Sequence, residues 1–148
     1  MPFERIQPSG WTSPKGYANG LVAPSGSRLV FIAGQVAWDP DQRLVGAGDF
    51  AAQFRQALSN VVEVVRCAGG NGEDLAQLTV FVTDKRLYAG ATRELKAIWM
   101  EVVGPHYPTM ALVEVAGLLE DRALVEIQGC AVIGPESGLV RGQASWDH

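Results

Sequence analysis

Few residues in this chain have the type and setting that chemistry needs. Glu126 is the first of them. It sits inside the apolar run Leu124-Val125-Glu126-Ile127, which reads as a strand, and a carboxylate there needs a reason. Val125 and Ile127 point to one face of such a strand and Glu126 to the other. A lone carboxylate in a cleft is a residue type that accepts a proton. Met110 is the second. It stands at the head of the preceding strand, where a charged partner for a small acid would have been informative.

Other signals resolve into ordinary structure. Gly69-Gly70-Asn71-Gly72 looks like a phosphate cradle, but it follows a helix and no Lys-Ser/Thr comes after it, so a helix cap and turn is expected. Asp39-Pro40-Asp41 lacks the bidentate Glu and the central Gly of a calcium loop, and reads as a turn. His106 lies between Pro105 and Tyr107 in the loop ahead of a strand. Histidine as a residue type can serve as an acid or a base, yet a lone loop histidine reads first as a solvated residue. Lys85 and Arg86 follow Asp84 at a strand end and read as exposed loop charges, although such loops often bind ligands. The sequence shows neither a Ser-His-Asp set nor a Gly-x-Ser-x-Gly elbow. No metal-ligand spacing surrounds the 2 cysteines and 2 histidines, so no metal and no cofactor is expected. Cys67 and Cys130 read as reduced, buried small hydrophobes.

The bulk numbers narrow the classes. The chain has 148 residues, 47% hydrophobic and 19% charged, enough for one folded domain with a real core. A formal net charge of −4 argues against broad capture of nucleic acid or anionic membrane. The opening MPFERIQPSGW has no apolar core of a signal peptide, and no run approaches the roughly 20 apolar residues of a membrane helix. A cytoplasmic protein with no membrane partner is the expectation.

The elements that must position these residues follow from spacing. Residues 1 to 16 are rich in Pro, Gly and Ser and are expected to wander over the surface. Tyr17 to Val22 reads as a short strand and Ser25-Gly26-Ser27 as a turn. Arg28 to Ala33 is a strand continuing to Val36. Asp49 is a plausible N-cap for a helix whose apolar face is Phe50, Phe54, Ala57, Leu58, Val61 and Val65. Gly69-Gly70 stops that helix. Leu75 to Val82 is the next strand. A second helix is expected from Tyr88 to Val103, ended by Gly104-Pro105. Ala111 to Val115 and Leu124 to Val132 are the last strands, with Leu118 to Arg122 short enough to make them a hairpin. The domain spans residues 1 to 133, and 134 to 148 reads as a flexible tail. This order implies an α+β domain, a mixed sheet with two helices on one face. Its other face would be apolar and open, so oligomerisation through it is expected.

Taken in order, several segments carry a resemblance: Gly16-Tyr17-Ala18-Asn19-Gly20, Phe31-Ile32-Ala33-Gly34-Gln35, the helix from Gln53 to Val65, Leu78-Thr79-Val80-Phe81-Val82-Thr83-Asp84, Tyr107-Pro108-Thr109, Val113-Glu114-Val115-Ala116, Val125-Glu126-Ile127 and Ala131-Val132. Together they resemble the RidA/YjgF family, also called L-PSP endoribonuclease-like, over residues 14 to 133. The resemblance implies a chorismate-mutase-like fold, a homotrimer with a barrel-like core, and small-molecule sites in the clefts between subunits. Characterised members hydrolyse reactive imines and enamines to 2-oxo acids and ammonia, and some carry a ribonuclease description.

The resemblance also assigns roles. Glu126 falls on the family's water-positioning glutamate, so it is the expected catalytic residue. Tyr17 matches a tyrosine that closes the site. Gly34 matches a residue whose backbone approaches the ligand, with Ala33 beside it in place of a frequent serine. Tyr88 falls on an aromatic wall and Thr92 lies one turn further along. Met110 and Leu112 complete the expected substrate-binding set. Met110 is also the departure. Family deaminases carry an arginine there, which clamps the substrate carboxylate bidentately. Methionine cannot pair with a carboxylate. The resemblance therefore implies an imine or enamine deaminase with altered substrate choice and little activity on 2-iminopropanoate. His106, Arg86 and Arg122 are the basic groups considered as replacement anchors. A non-catalytic binding or interaction module on the same trimer is the alternative. A ribonuclease role fits less well, because the chain is acidic and has no histidine pair or basic aromatic stripe.

Overall fold

A computed structural model describes residues 3–135. The elements run β1 (Glu4–Ile6), β2 (Gly20–Val22), β3 (Arg28–Gln35), α1 (Phe50–Cys67), β4 (Leu75–Val82), α2 (Lys85–Ala89), α3 (Thr92–Val102), β5 (Thr109–Glu114) and β6 (Val125–Ile133). Four strands form one mixed sheet in the order β3-β6-β4-β5, and β1 pairs with β2 in a separate antiparallel ribbon. This is the α+β architecture expected. Of the expected tail, only Gly134 and Pro135 fall within the described residues.

Alternation sorts the sheet into two faces. Leu78, Val80 and Val82 of β4 are buried on the side of α1 and α3, as are Val125 and Ile127 of β6. The first helix meets them with Phe54, Leu58, Val61 and Val65. Asp49 caps it: Oδ1 accepts from the backbone N–H of Ala52 at 3.1 Å. Its end is closed by Gly69, at φ +90°. There the N–H of Gly70 donates to Val65 O and that of Gly69 to Arg66 O, a left-handed cap that satisfies two orphan carbonyls.

Gln53 is the exception on that helix, a fully buried polar side chain in the core layer. Its amide nitrogen donates to the carbonyls of Gly46 and Arg122, both at 3.1 Å, and its oxygen accepts from the N–H of Leu124 at 2.8 Å. Every polar atom of the side chain is thus used.

Four expectations need correction. The last two strands are not a hairpin. The edge strand β5 runs parallel to β4, while β6 lies between β3 and β4, antiparallel to both. The reason is burial. β6 carries Val125, Ile127, Ala131, Val132 and Ile133, all buried, and takes the centre, whereas β5 is mostly exposed. The helices between β4 and β5 supply the long crossover that a parallel pair requires. Second, the expected helix from Tyr88 to Val103 is two helices, divided at Gly90 and Ala91. Third, the N-terminal segment contributes a strand instead of only wandering: Glu4 to Ile6 pair with Val22 to Gly20. Fourth, Cys67 is exposed. Both cysteines are free thiols.

Candidate active site

The face of the sheet away from the helices carries Glu126. In the register, Glu126 pairs with Phe81 of β4, and Phe81 with Val113 of β5. The glutamate is half-buried. Among the described residues its carboxylate has neither a cation nor a hydrogen-bond donor. It rests against Gly34. The pairing of β3 with β6 slips between Ile32–Gly129 and Gln35–Ile127, so Ala33 and Gly34 stand opposite the single residue Gln128. Such a bulge re-aims the strand and leaves a residue unpaired. A Cβ on Gly34 would overlap the carboxylate, lying 3.0 Å from Glu126 Cδ. Glycine is what lets the acid lie on bare backbone.

Met110 faces the other way. It pairs with Leu78, three residues before Phe81 on the same strand, and so lies on the helix side. There it lines a cavity of about 530 Å³ with Phe54, Tyr88, Trp99, Tyr107 and Thr92. The walls are aromatic and well braced. Tyr88 meets Phe54 edge-on at 6.3 Å, and Trp99 stacks on Tyr107 at 5.8 Å. The indole N–H of Trp99 donates to His106 O at 2.8 Å, which fixes the ring plane. Burial raises the Tyr88 phenol above its ordinary value, so its hydroxyl keeps its proton at neutral pH.

The residues singled out from the sequence thus divide into two groups. Tyr88, Thr92 and Met110 come together in the cavity. Ala33, Gly34 and Glu126 come together on the opposite face. Tyr17 is exposed and lies outside both, although the N–H of Ala18 donates to Pro108 O at 3.0 Å and holds that segment beside the start of β5. Leu112 is on the Met110 face of β5, exposed at the sheet edge and outside the cavity lining.

None of the three considered anchors reaches the cavity lining. His106 is buried, not solvated. Its Nε2 is 2.7 Å from Leu75 O, which requires a proton on that nitrogen, and its ring stacks on Phe3 at 5.8 Å. Arg86 folds back on Asp84, with Nη2 2.9 Å from Oδ2. This pair holds the Asp84 carboxyl below its usual range. Arg122 is exposed in the connection before β6. Two cations that sequence reasoning missed, Lys15 and Lys96, do line the cavity. Lys96 was findable, since it follows Tyr88 and Thr92 at helical spacing. Among the described residues no three His, Cys, Asp or Glu side chains gather as a metal site. Among the described residues no helix is long and apolar enough to cross a membrane.

Comparison with known proteins adds a family. The family model described as Endoribonuclease L-PSP matches residues 13–133. A protein of unknown function of the conserved Rid protein family, YyfB from Yersinia pestis, is 30% identical, with 90% of this chain and 100% of that one covered at a TM-score of 0.76. The YjgF gene product of E. coli is 30% identical, covering 87% of this chain and 98% of that one at a TM-score of 0.63. E. coli TdcF, solved with bound serine, is 31% identical with the same coverage, 87% and 98%, and a TM-score of 0.63.

Proposed function

The chain belongs to the RidA/YjgF family of the Endoribonuclease L-PSP model, and from that premise we propose that it hydrolyses a reactive imine or enamine to a carbonyl compound and ammonia. The observation that carries this reading is the half-buried, uncommitted carboxylate of Glu126 lying on the bare backbone of Gly34. A protonated imine carbon is already electrophilic, so it needs an oriented water and a proton acceptor. Water adds to the carbon as its proton passes to Glu126. Glu126 then passes that proton to the carbinolamine nitrogen and takes up the hydroxyl proton as the C–N bond breaks, so ammonia leaves with the carbonyl formed and carries the last proton away as ammonium.

A single chain does not bring Glu126 and the Met110 cavity into one pocket, because the sheet lies between them. A homotrimer in which one copy's open face meets the next copy's β5 edge would join them. Leu29 and Phe31, 62% and 78% exposed on the open face, favour such burial, since large apolar side chains seldom stay in contiguous exposed patches. The serine bound to E. coli TdcF supports a ligand of amino-acid size.

The direct test generates imines enzymatically and follows ammonia and carbonyl release with and without the pure protein. Imines with apolar substituents are expected to break down faster than in buffer, and 2-iminopropanoate to be turned over poorly. Turnover of 2-iminopropanoate as fast as by arginine-containing relatives would refute the reading of Met110. A binding-only role is the second reading, favoured by the apolar walls around Met110. Unaltered imine lifetimes beside clear ligand binding would select it.

Gly34→Ala gives a separate check on the carboxylate. The new methyl displaces Glu126 by roughly 1 Å, and misplacement on that scale costs about 10²-fold in rate. Hydrolysis is expected to fall by that order while the thermal midpoint stays within a few degrees. An alanine variant of undiminished activity would mean that the water is held elsewhere.

A further inference from the structure

The Met110 cavity is apolar at its walls and cationic at its rim. Lys15 comes from the N-terminal segment and Lys96 from α3, and both are exposed while lining it. The ion pairs among the described residues are Arg55–Glu101, Arg66–Glu63 and Arg86–Asp84. Neither lysine takes part in one. Two ammonium groups with no carboxylate partner among the described residues, beside an aromatic box, are a conspicuous placement in a chain of net charge −4.

We propose that this cavity binds a small carboxylate with an aromatic or bulky apolar body, its anionic end held by Lys15 and Lys96 at the rim. The volume of about 530 Å³ falls within the usual range of small-molecule sites, whose linings are mostly apolar with a few placed polar groups. A flat body lies between Tyr88 and the stacked pair Trp99 and Tyr107, against the polarizable thioether of Met110. The Tyr88 and Thr92 hydroxyls, which have no hydrogen-bond partner among the described residues, are available to a ligand carbonyl or imine nitrogen. Lysine suits this arrangement: its charge is a point on a flexible stem and needs no fixed bidentate geometry. The anionic anchor is thus moved from β5 to the cavity mouth, and the space vacated at position 110 goes to ligand bulk. A methyl substituent leaves these walls unfilled, which agrees with poor use of 2-iminopropanoate.

Binding at this cavity stands by itself. Only the further step, that the substrate is the imine of an aromatic or bulky apolar amino acid, rests on the proposed hydrolase reading. Calorimetry on the full chain separates the two. Phenylpyruvate is expected to bind, and pyruvate and phenylacetone, which lack the ring and the carboxylate respectively, to bind at least tenfold more weakly. Lys15→Met and Lys96→Met should each weaken phenylpyruvate several-fold. The double variant should lose about tenfold or more, the scale of a charge-assisted contact, without changing phenylacetone. Both lysines are exposed, so folding is not at stake. Absence of phenylpyruvate binding, or equal binding by wild type and the double lysine variant, overturns the proposal. Lysine-dependent binding without any imine hydrolysis would sustain it and remove the hydrolase reading instead.

Discussion

Glu126→Gln is expected to lower imine hydrolysis by about 10²–10⁴-fold, the usual contribution of a positioned general base. Glutamine keeps the length and planarity of the side chain, so it can still lie on Gly34 and still hold a water. It cannot take the proton. Stability should be nearly unaffected, within about 0.5 kcal/mol, because no ion pair or hydrogen bond to the carboxylate exists among the described residues to be lost. The measurement is single-turnover ammonia release beside a urea denaturation curve for each protein. A fall in rate with an unchanged urea midpoint identifies proton transfer as the lost element. Retention of full rate by the glutamine variant would exclude Glu126 as the base.

Gly129→Ala should be the most damaging single methyl in the sheet. Gly129 pairs with Leu78, one pair beyond the slip in register between Leu75 and Gln77. A Cβ there would overlap the carbonyl oxygen of Gln77, lie 3.0 Å from its carbonyl carbon and 2.7 Å from Leu78 Cδ2. Leucine can rotate away, but a strand carbonyl cannot. Overpacking against fixed atoms costs about 3 kcal/mol, a large share of the roughly 5–15 kcal/mol that holds a domain together. The melting temperature should drop by about 10 °C. A loss below a few degrees would show that the two central strands separate more readily than their packing suggests.

Local order was legible where propensity and burial agree. β4 runs from Leu75 to Val82 as expected, since its β-branched content and alternation point the same way. Asp49 was legible as a cap because a carboxylate ahead of an apolar helical face has few other uses. Pairing was less legible. The short connection after β5 suggested a hairpin, and nothing in residues 116 to 122 shows that β6 crosses to the centre of the sheet. That outcome is decided by how many buried side chains each strand carries, which is a property of the whole fold. His106 was misjudged for a similar reason: its partner, the carbonyl of Leu75, is distant in sequence. The candidate site was legible in composition and illegible in sidedness. Glu126 and Met110 were each singled out, but only the parallel register of β5 shows that they occupy opposite faces.

The buried amide of Gln53 has a consequence for how this family member can diverge. It ties α1 to Arg122 and Leu124, immediately ahead of the strand that bears the carboxylate. The axial position of Glu126 is therefore set by a helix, and not by the loop that delivers the chain. The segment from Ala116 to Leu119, ahead of the Glu120 carboxylate that accepts from the Trp38 indole at 3.2 Å, is relieved of that gauging duty. It can lengthen, shorten or acquire a new surface while the acid stays in place.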